Sequence, residues 1–150
     1  MSMPMPAISL AALPGRRKTI LDLAAQAETR GFSGIYLPSL GDNMSLATAL
    51  ATATHTIPFG TAIAPLYFRS PLDFAQAAAF IHEVSDGRFR FGVGVAHAPS
   101  HARFGVTVGK PLSDTRSFVE EIRSAERIGD LPPIVLATLR KRMIALSGEI

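Results

Sequence analysis

Cysteine is absent from the 150 residues, which excludes disulfides, thiolate metal sites and a cysteine nucleophile. Charge is also sparse. Only 18% of the chain is charged against 47% hydrophobic, as expected of a globular chain with a large buried fraction. The 15 basic and 12 acidic residues leave a net charge of +3, and they form no basic stripe interleaved with aromatics, so nucleic acid is not the expected partner. Arg16, Arg17 and Lys18 share one turn, and Arg140, Lys141 and Arg142 another; both clusters read as solvated helix starts. No apolar run reaches the roughly 20 residues that span a bilayer, so no membrane partner is expected. The opening "MSMPMPAISLAALPG" has no basic n-region and its prolines interrupt a helix, so the expectation is a soluble, cytoplasmic protein without a secretory leader. No His, Asp and Glu spacing suggests a metal site, and no serine triad is visible. Without a linker or low-complexity segment, residues 1–150 read as one domain, long enough for a real core.

What is present is an alternation. Ala7 to Leu13 is a short apolar run closed by Pro14 and Gly15, which predicts a strand. Ile20, Leu23, Ala24 and Ala27 then keep helical spacing until Gly31, a residue suited to a left-handed C-terminal cap. "GIYLP" (Gly34 to Pro38) reads as a second strand. A second helix follows, capped by Asp42 or Asn43, with Leu46, Ala49, Leu50 and Ala53 as its stripe. Ile57 to Tyr67 reads as the third strand and its exit. Ser70, Pro71 and Asp73 then announce a helix with a capping box, apolar on nearly every side. Asp86 and Gly87 turn the chain into a fourth strand, Arg88 to Ala96. Ser113 to Ile128 predicts a fourth helix stopped by Gly129, "PPIVLAT" a fifth strand, and Arg140 to Ser147 the start of a fifth helix. The fold class is α/β with a parallel sheet. Both an open doubly wound sheet and part of a (β/α)8 barrel fit.

"SDGRFRFGVGVAHAPS", Ser85 to Ser100, carries the glycines on which function turns. A dinucleotide fingerprint needs its glycines after the first strand, where this chain has only "LPGRRK"; GxxxxGK[ST] is absent as well. As a strand, the segment sends Phe89, Phe91, Val93 and Val95 one way and Arg90, Gly92 and Gly94 the other. Glycine on an inward face either relieves crowding or lets a ligand approach the backbone. His97 falls at the carboxyl end of that strand, where barrel enzymes place their chemistry.

"GTAIAPLYFRSPLDFAQAAAFIHEVSDGRFRFGVG" resembles the bacterial luciferase-like monooxygenase family, as do "AAQAETRGFSGIYLP", "LATALATATHTIPFG" and "PPIVLATLRKRMIALSGEI", in the same order. The resemblance covers essentially the whole chain. It implies a (β/α)8 TIM-barrel type fold, incomplete at about five βα units, because a full barrel takes about 250 residues. It further implies FMN or a deazaflavin coenzyme bound at the carboxyl ends of the strands, with a small-molecule substrate. Ala62 and Ile63 match a position where the family often has a non-prolyl cis peptide behind the ring. Gly94, Val95, Ala96 and His97 match the rim of the fourth strand, Leu10 and Ala11 the end of the first, and Ser39 the end of the second. Val95 stands where bacterial luciferase has an arginine for the flavin phosphate.

The implied function is a flavin- or deazaflavin-dependent oxidoreductase, by monooxygenation or hydride transfer, with His97 as the catalytic candidate. His97 is otherwise a solvated loop histidine, and His101 presents the same choice. His55, His82, Arg69, Arg88 and Arg90 are expected to be structural, Arg69 through a surface salt bridge. Two alternatives stand beside the enzyme: a non-catalytic half-barrel that pairs with another chain, and an anion-binding open α/β domain. Unpaired edges on the first and fifth strands and alanine-rich helix surfaces predict a homodimer or larger assembly, with the Pro71–Val84 helix in the contact.

Overall fold

The computed structural model describes residues 5–150; Met1–Pro4, the start of the stretch read for a leader, lie outside the described residues. Strands β1 (Ile8–Ser9), β2 (Ile35–Leu37), β3 (Phe59–Thr61), β4 (Ala64–Pro65), β5 (Phe89–Gly94) and β6 (Ile134–Leu136) form one parallel sheet. The helices are α1 (Arg17–Thr29), α2 (Asn43–Ala53), α3 (Pro71–Val84), α4 (Ala98–Phe104), α5 (Pro111–Ser124) and α6 (Lys141–Glu149). β1 pairs with β2, β2 with β3, β5 with both β3 and β4, and β6 with β5. With β3 and β4 taken as two pieces of one interrupted strand, each strand therefore lies beside its predecessor. A doubly wound sheet reverses its order at a switch point, so this sequential order selects the barrel-type alternative.

The sheet's two faces differ sharply. Ile35, Leu37, Phe59, Phe89, Phe91 and Val93 are buried toward the helices, where Phe74 of α3 stacks with Phe91 and meets Phe118 of α5 edge-on. On the opposite face Ser9, Tyr36, Gly60 and Arg90 stand in register across four strands. Tyr36 is 44% exposed there and Val135 53%. The alternation in Arg88 to Ala96 is thus as expected.

Several boundaries differ from the sequence expectations. The first strand proper is Ile8–Ser9, with a bridge at Met5 before it and a last bond from the Leu10 N–H to the Tyr36 carbonyl; Pro14, Gly15 and a Leu13-to-Ala11 turn take the rest of the run out of the ladder. The third strand is not continuous: it breaks at Ala62–Ile63, whose peptide bond is cis, and resumes as β4 one step along β5. Leu23 is exposed, and Leu21 joins Ile20, Ala24 and Ala27 on the packed side of α1. Asp42, not Asn43, caps α2, accepting from the Ser45 N–H. Ser70 caps α3 as expected, but the Asp73 carboxylate turns to Arg69 instead of closing a capping box. Though apolar on nearly every side, α3 packs against α2 and α5 and leaves Leu72 (54%) and Phe80 (56%) facing solvent. α5 starts at its proline and ends at Ser124, leaving Ala125 and Ile128 outside the helix. α4 was not expected: its start, at Ala98 and Pro99, has proline in the first turn, and it ends on Gly105 in the left-handed conformation.

Candidate functional site at the carboxyl ends of the strands

Every strand delivers its carboxyl end to one side of the sheet, because all pairs are parallel. The β3–β4 break sits there. The Ala62 N–H donates to the Leu37 carbonyl (2.8 Å), and the Thr61 hydroxyl donates to the Gly92 carbonyl (2.7 Å). Thr61 approaches so closely that a Cβ on Gly92 would collide with its carbonyl oxygen, which settles crowding as the reason for glycine there. Gly94 differs. A Cβ built on it would lie 3.0 Å from Ala137 Cβ, a tight approach, and 3.4 Å from the Ile63 side chain, so Ala137 and Ile63 both close on this position.

Ile63, Gly94 and Ala137 therefore form one contiguous rim, and Ala137 leads within three residues to α6. Val95 and Ala96 continue that rim; Ala96 has φ +65°, a left-handed backbone uncommon outside glycine, at the point where the chain leaves β5 for α4. The His101 ring nitrogen Nε2 lies 2.6 Å from the Val95 carbonyl, which ties α4 back to the strand end and gives His101 a structural partner. His97 is exposed and begins α4; its carbonyl accepts the N–H groups of Ser100 and His101.

The remaining predicted positions border the same side. The Leu10 N–H donates to the Tyr36 carbonyl (3.1 Å), and the loop after Ala11 presses on Gly41, where a Cβ would stand 2.7 Å from the Ala12 carbonyl oxygen. Ser39 lines a separate cavity of about 470 Å3, between the ends of β2 and β4 and helix α4. The structure thus brings Ala62, Ile63, Gly94, Val95 and Ala96 onto one rim, sets Leu10 and Ala11 along it, and puts Ser39 toward the helices.

Arg69 bridges the starts of two helices, to Asp42 at 2.8 Å and Asp73 at 3.4 Å, as the surface salt bridge expected of it. Burial alone would raise the Asp42 carboxyl. Hydrogen bonds from the Ser45 hydroxyl and N–H, with the charge of Arg69, hold it below the ordinary range. Beside the same strand ends the Tyr67 hydroxyl donates to Asp114 (2.8 Å). Burial, that bond and the Asp114 charge push the phenol up to about 12, so it stays protonated and locks β4's exit to α5. Arg88 is structural as expected: its guanidinium donates to the carbonyls of Ala51, Thr54, Ile57 and Ser85 and to the Thr54 hydroxyl.

The sequence left one group unassembled. A cavity of about 830 Å3 opens between the starts of α5 and α6, lined by Lys110, Pro111, Leu112, Ser113, Arg140, Lys141, Arg142 and Met143. None of its four cations belongs to an ion pair among the described residues. Arg140 to Arg142 do begin a helix, as expected; what the sequence hid was Lys110, thirty residues earlier, on the cavity's other wall. Four cations with no carboxylate in the lining are suited to an anion with more than one negative oxygen.

Residues 5–150 match the luciferase-like monooxygenase family, and the chain belongs to it. A 5,10-methylenetetrahydromethanopterin reductase of Archaeoglobus fulgidus is 36% identical over 100 residues, which are 65% of this chain and 30% of that protein. The coenzyme F420-dependent tetrahydromethanopterin reductase of Methanopyrus kandleri superimposes with a TM-score of 0.80 at 18% identity, over 99% of this chain and 54% of that one. The oxygenating constituent of 3,6-diketocamphane monooxygenase from Pseudomonas putida, solved with FMN, superimposes with a TM-score of 0.66 at 18% identity, over 81% and 39% of the two chains. The fold is thus that of luciferase-like TIM-barrel proteins, of which this chain spans about half the length in the first of these structures.

Proposed function

We propose that this luciferase-like chain forms the cofactor-binding part of an oxidoreductase that uses FMN or a deazaflavin coenzyme on a small-molecule substrate. The observation that carries this is the junction of two surfaces: the rim of Ile63, Gly94 and Ala137, and the four-cation cavity that begins three residues beyond it. The donor set fits both ends of such a cofactor, a flat ring and an anionic tail. In this proposal Ala62, Ile63, Gly94, Val95 and Ala96 back the ring, and Leu10, Ala11 and Ser39 border it. Lys110, Arg140, Lys141 and Arg142 hold the tail. His97, exposed at the end of β5, exchanges a proton with the substrate. The bound ring supplies the hydride transfer or oxygen chemistry. The protein supplies the fixed rim and the charge.

Titration of the purified chain with FMN and with a deazaflavin coenzyme, followed by ring fluorescence, tests the proposal. Saturable micromolar binding that weakens with salt is the expected result. No binding of either cofactor at that concentration overturns it.

A second function, assembly, is favoured by the exposed Tyr36 and Val135 on the inner face and by Leu72 and Phe80 on α3. Among the described residues β1 pairs only with β2, and β6 only with β5, so each keeps an open side that recruits another strand. Sedimentation is expected to give a dimer or larger species that Phe80→Glu dissociates. A folded monomer at low micromolar concentration would rule this out.

A further inference from the structure

We propose that Asn43 is a positioning residue for the proposed ring-facing rim. It is the first residue of α2, on the helix side of the sheet, and only 5% exposed. Its Nδ2 donates to the Leu37 carbonyl (3.3 Å) and to the Ile63 carbonyl (3.0 Å). One amide therefore joins the end of β2 to the junction of β3 and β4, using both of its hydrogens. Leu37's carbonyl has a second donor, the Ala62 N–H; no other donor reaches the Ile63 carbonyl among the described residues. The carbonyl is held on one side while the Ile63 side chain lies over Gly94 on the other. Asn43 thus sets how Ile63 is presented.

The start of α2 is itself anchored. Asp42, the preceding residue, binds Ser45 within the helix and Arg69 before α3. A helix start fixed in this way makes Asn43 a rigid reference for the rim, not a side chain that follows it. Only a short side chain with two donors on one nitrogen reaches both carbonyls. Leucine keeps the volume and loses both bonds; aspartate sets a carboxylate against two carbonyl oxygens.

This inference rests on the proposed cofactor role, and its test separates the two. Asn43→Leu is compared with Ile122→Val, a buried substitution in α5 away from the rim, using riboflavin, which carries the ring without the phosphate. The expected result is a riboflavin Kd at least tenfold higher for Asn43→Leu and less than twofold higher for Ile122→Val. Alongside, the Ala62 amide should exchange with solvent at least tenfold faster in Asn43→Leu than in Ile122→Val. Should Asn43→Leu fail to fold, Asn43→Ser, with a single donor, is expected to raise the Kd and the exchange rate in the same direction. Equal Kd values and equal Ala62 exchange would overturn the inference. If the unsubstituted chain binds no ring at all, the cofactor proposal falls, and the exchange comparison alone decides whether Asn43 holds the rim.

Discussion

Glu28 offers a test of what holds the outer layer together. It lies in the last turn of α1, and its carboxylate accepts the backbone N–H groups of His55, Thr56 and Ile57 together with the Thr56 hydroxyl. Three consecutive amides converging on one carboxylate form an anion nest, built between α2 and β3 and filled from α1. Partial burial by itself raises the carboxyl; the amides of Thr56, Ile57 and His55 and the Thr56 hydroxyl outweigh it and hold the group at about 2 instead of 4.5. Through linkage that depression corresponds to an upper bound of about 3 kcal/mol. Water around the partly exposed group screens it, leaving about 1–2 kcal/mol. A folded-state value below the unfolded one stabilises fully above about pH 5 and fades as pH falls from 4.5 toward 2. Glu28→Gln keeps the shape and removes the charge. The expected result is a loss of about 1–2 kcal/mol in urea unfolding at pH 7, or about 3–6 °C in Tm for a domain of this size. At pH 3.5 roughly two thirds of that screened difference should be gone. A difference that is the same at pH 7 and pH 3.5, or none at pH 7, would refute the nest as an electrostatic anchor.

Arg88→Met should destabilise by about 2–4 kcal/mol in urea unfolding, since it strips a charged donor from the carbonyls of Ala51, Thr54 and Ile57; Arg88→Lys should recover less than half, lacking the planar fork. Charge reversal of Arg140 and Lys141 to glutamate should raise the Kd for FMN at least tenfold and leave that for riboflavin within twofold, as read by ring fluorescence. Gly92→Ala should give no folded protein by circular dichroism, because its Cβ meets the Thr61 backbone, whereas Gly94→Ala should fold at a cost of about 1 kcal/mol and weaken ring binding. Folded Gly92→Ala would show that β3 and β5 separate more easily than their contact implies.

The helices and the helix-facing side of the strands were legible because their signals are local. Pro71 after Ser70 marks the start of α3 within two residues, and Phe89, Phe91 and Val93 alternate within one strand. The β3–β4 break left no local signal: "IPFGTAIAPLY" reads as one apolar run, only the family resemblance marked Ala62 and Ile63 as a cis peptide position, and the break depends on Leu37, Gly92 and Asn43, all remote in sequence. α4 escaped for a related reason. Its seven residues bury none of themselves fully, so they carry no periodic apolar stripe. The basic cavity was half legible, as a run of three cations, but its fourth cation, Lys110, came from the loop before α5. Glu28 was invisible as a single polar residue and Asn43 was read only as a possible helix cap, since what they do is set by the backbone groups that tertiary structure brings to them.

These differences share a physical origin. The face toward the helices is filled by large apolar side chains, whose burial at roughly 25 cal/mol per Å2 drives the layer together and imposes periodicity on the sequence. The inner face carries Gly60, Gly92 and Gly94 beside the exposed Tyr36 and Val135. It gains little from burial within these residues, so no hydrophobic pattern announces it. At Gly60, a Cβ would stand 2.5 Å from the Arg90 carbonyl oxygen, so backbone approach, not composition, dictates the residue. The layer that stabilises the chain is written as repeating pattern, while the rim proposed to bind is written as single residues, each explained only by a neighbour on another strand.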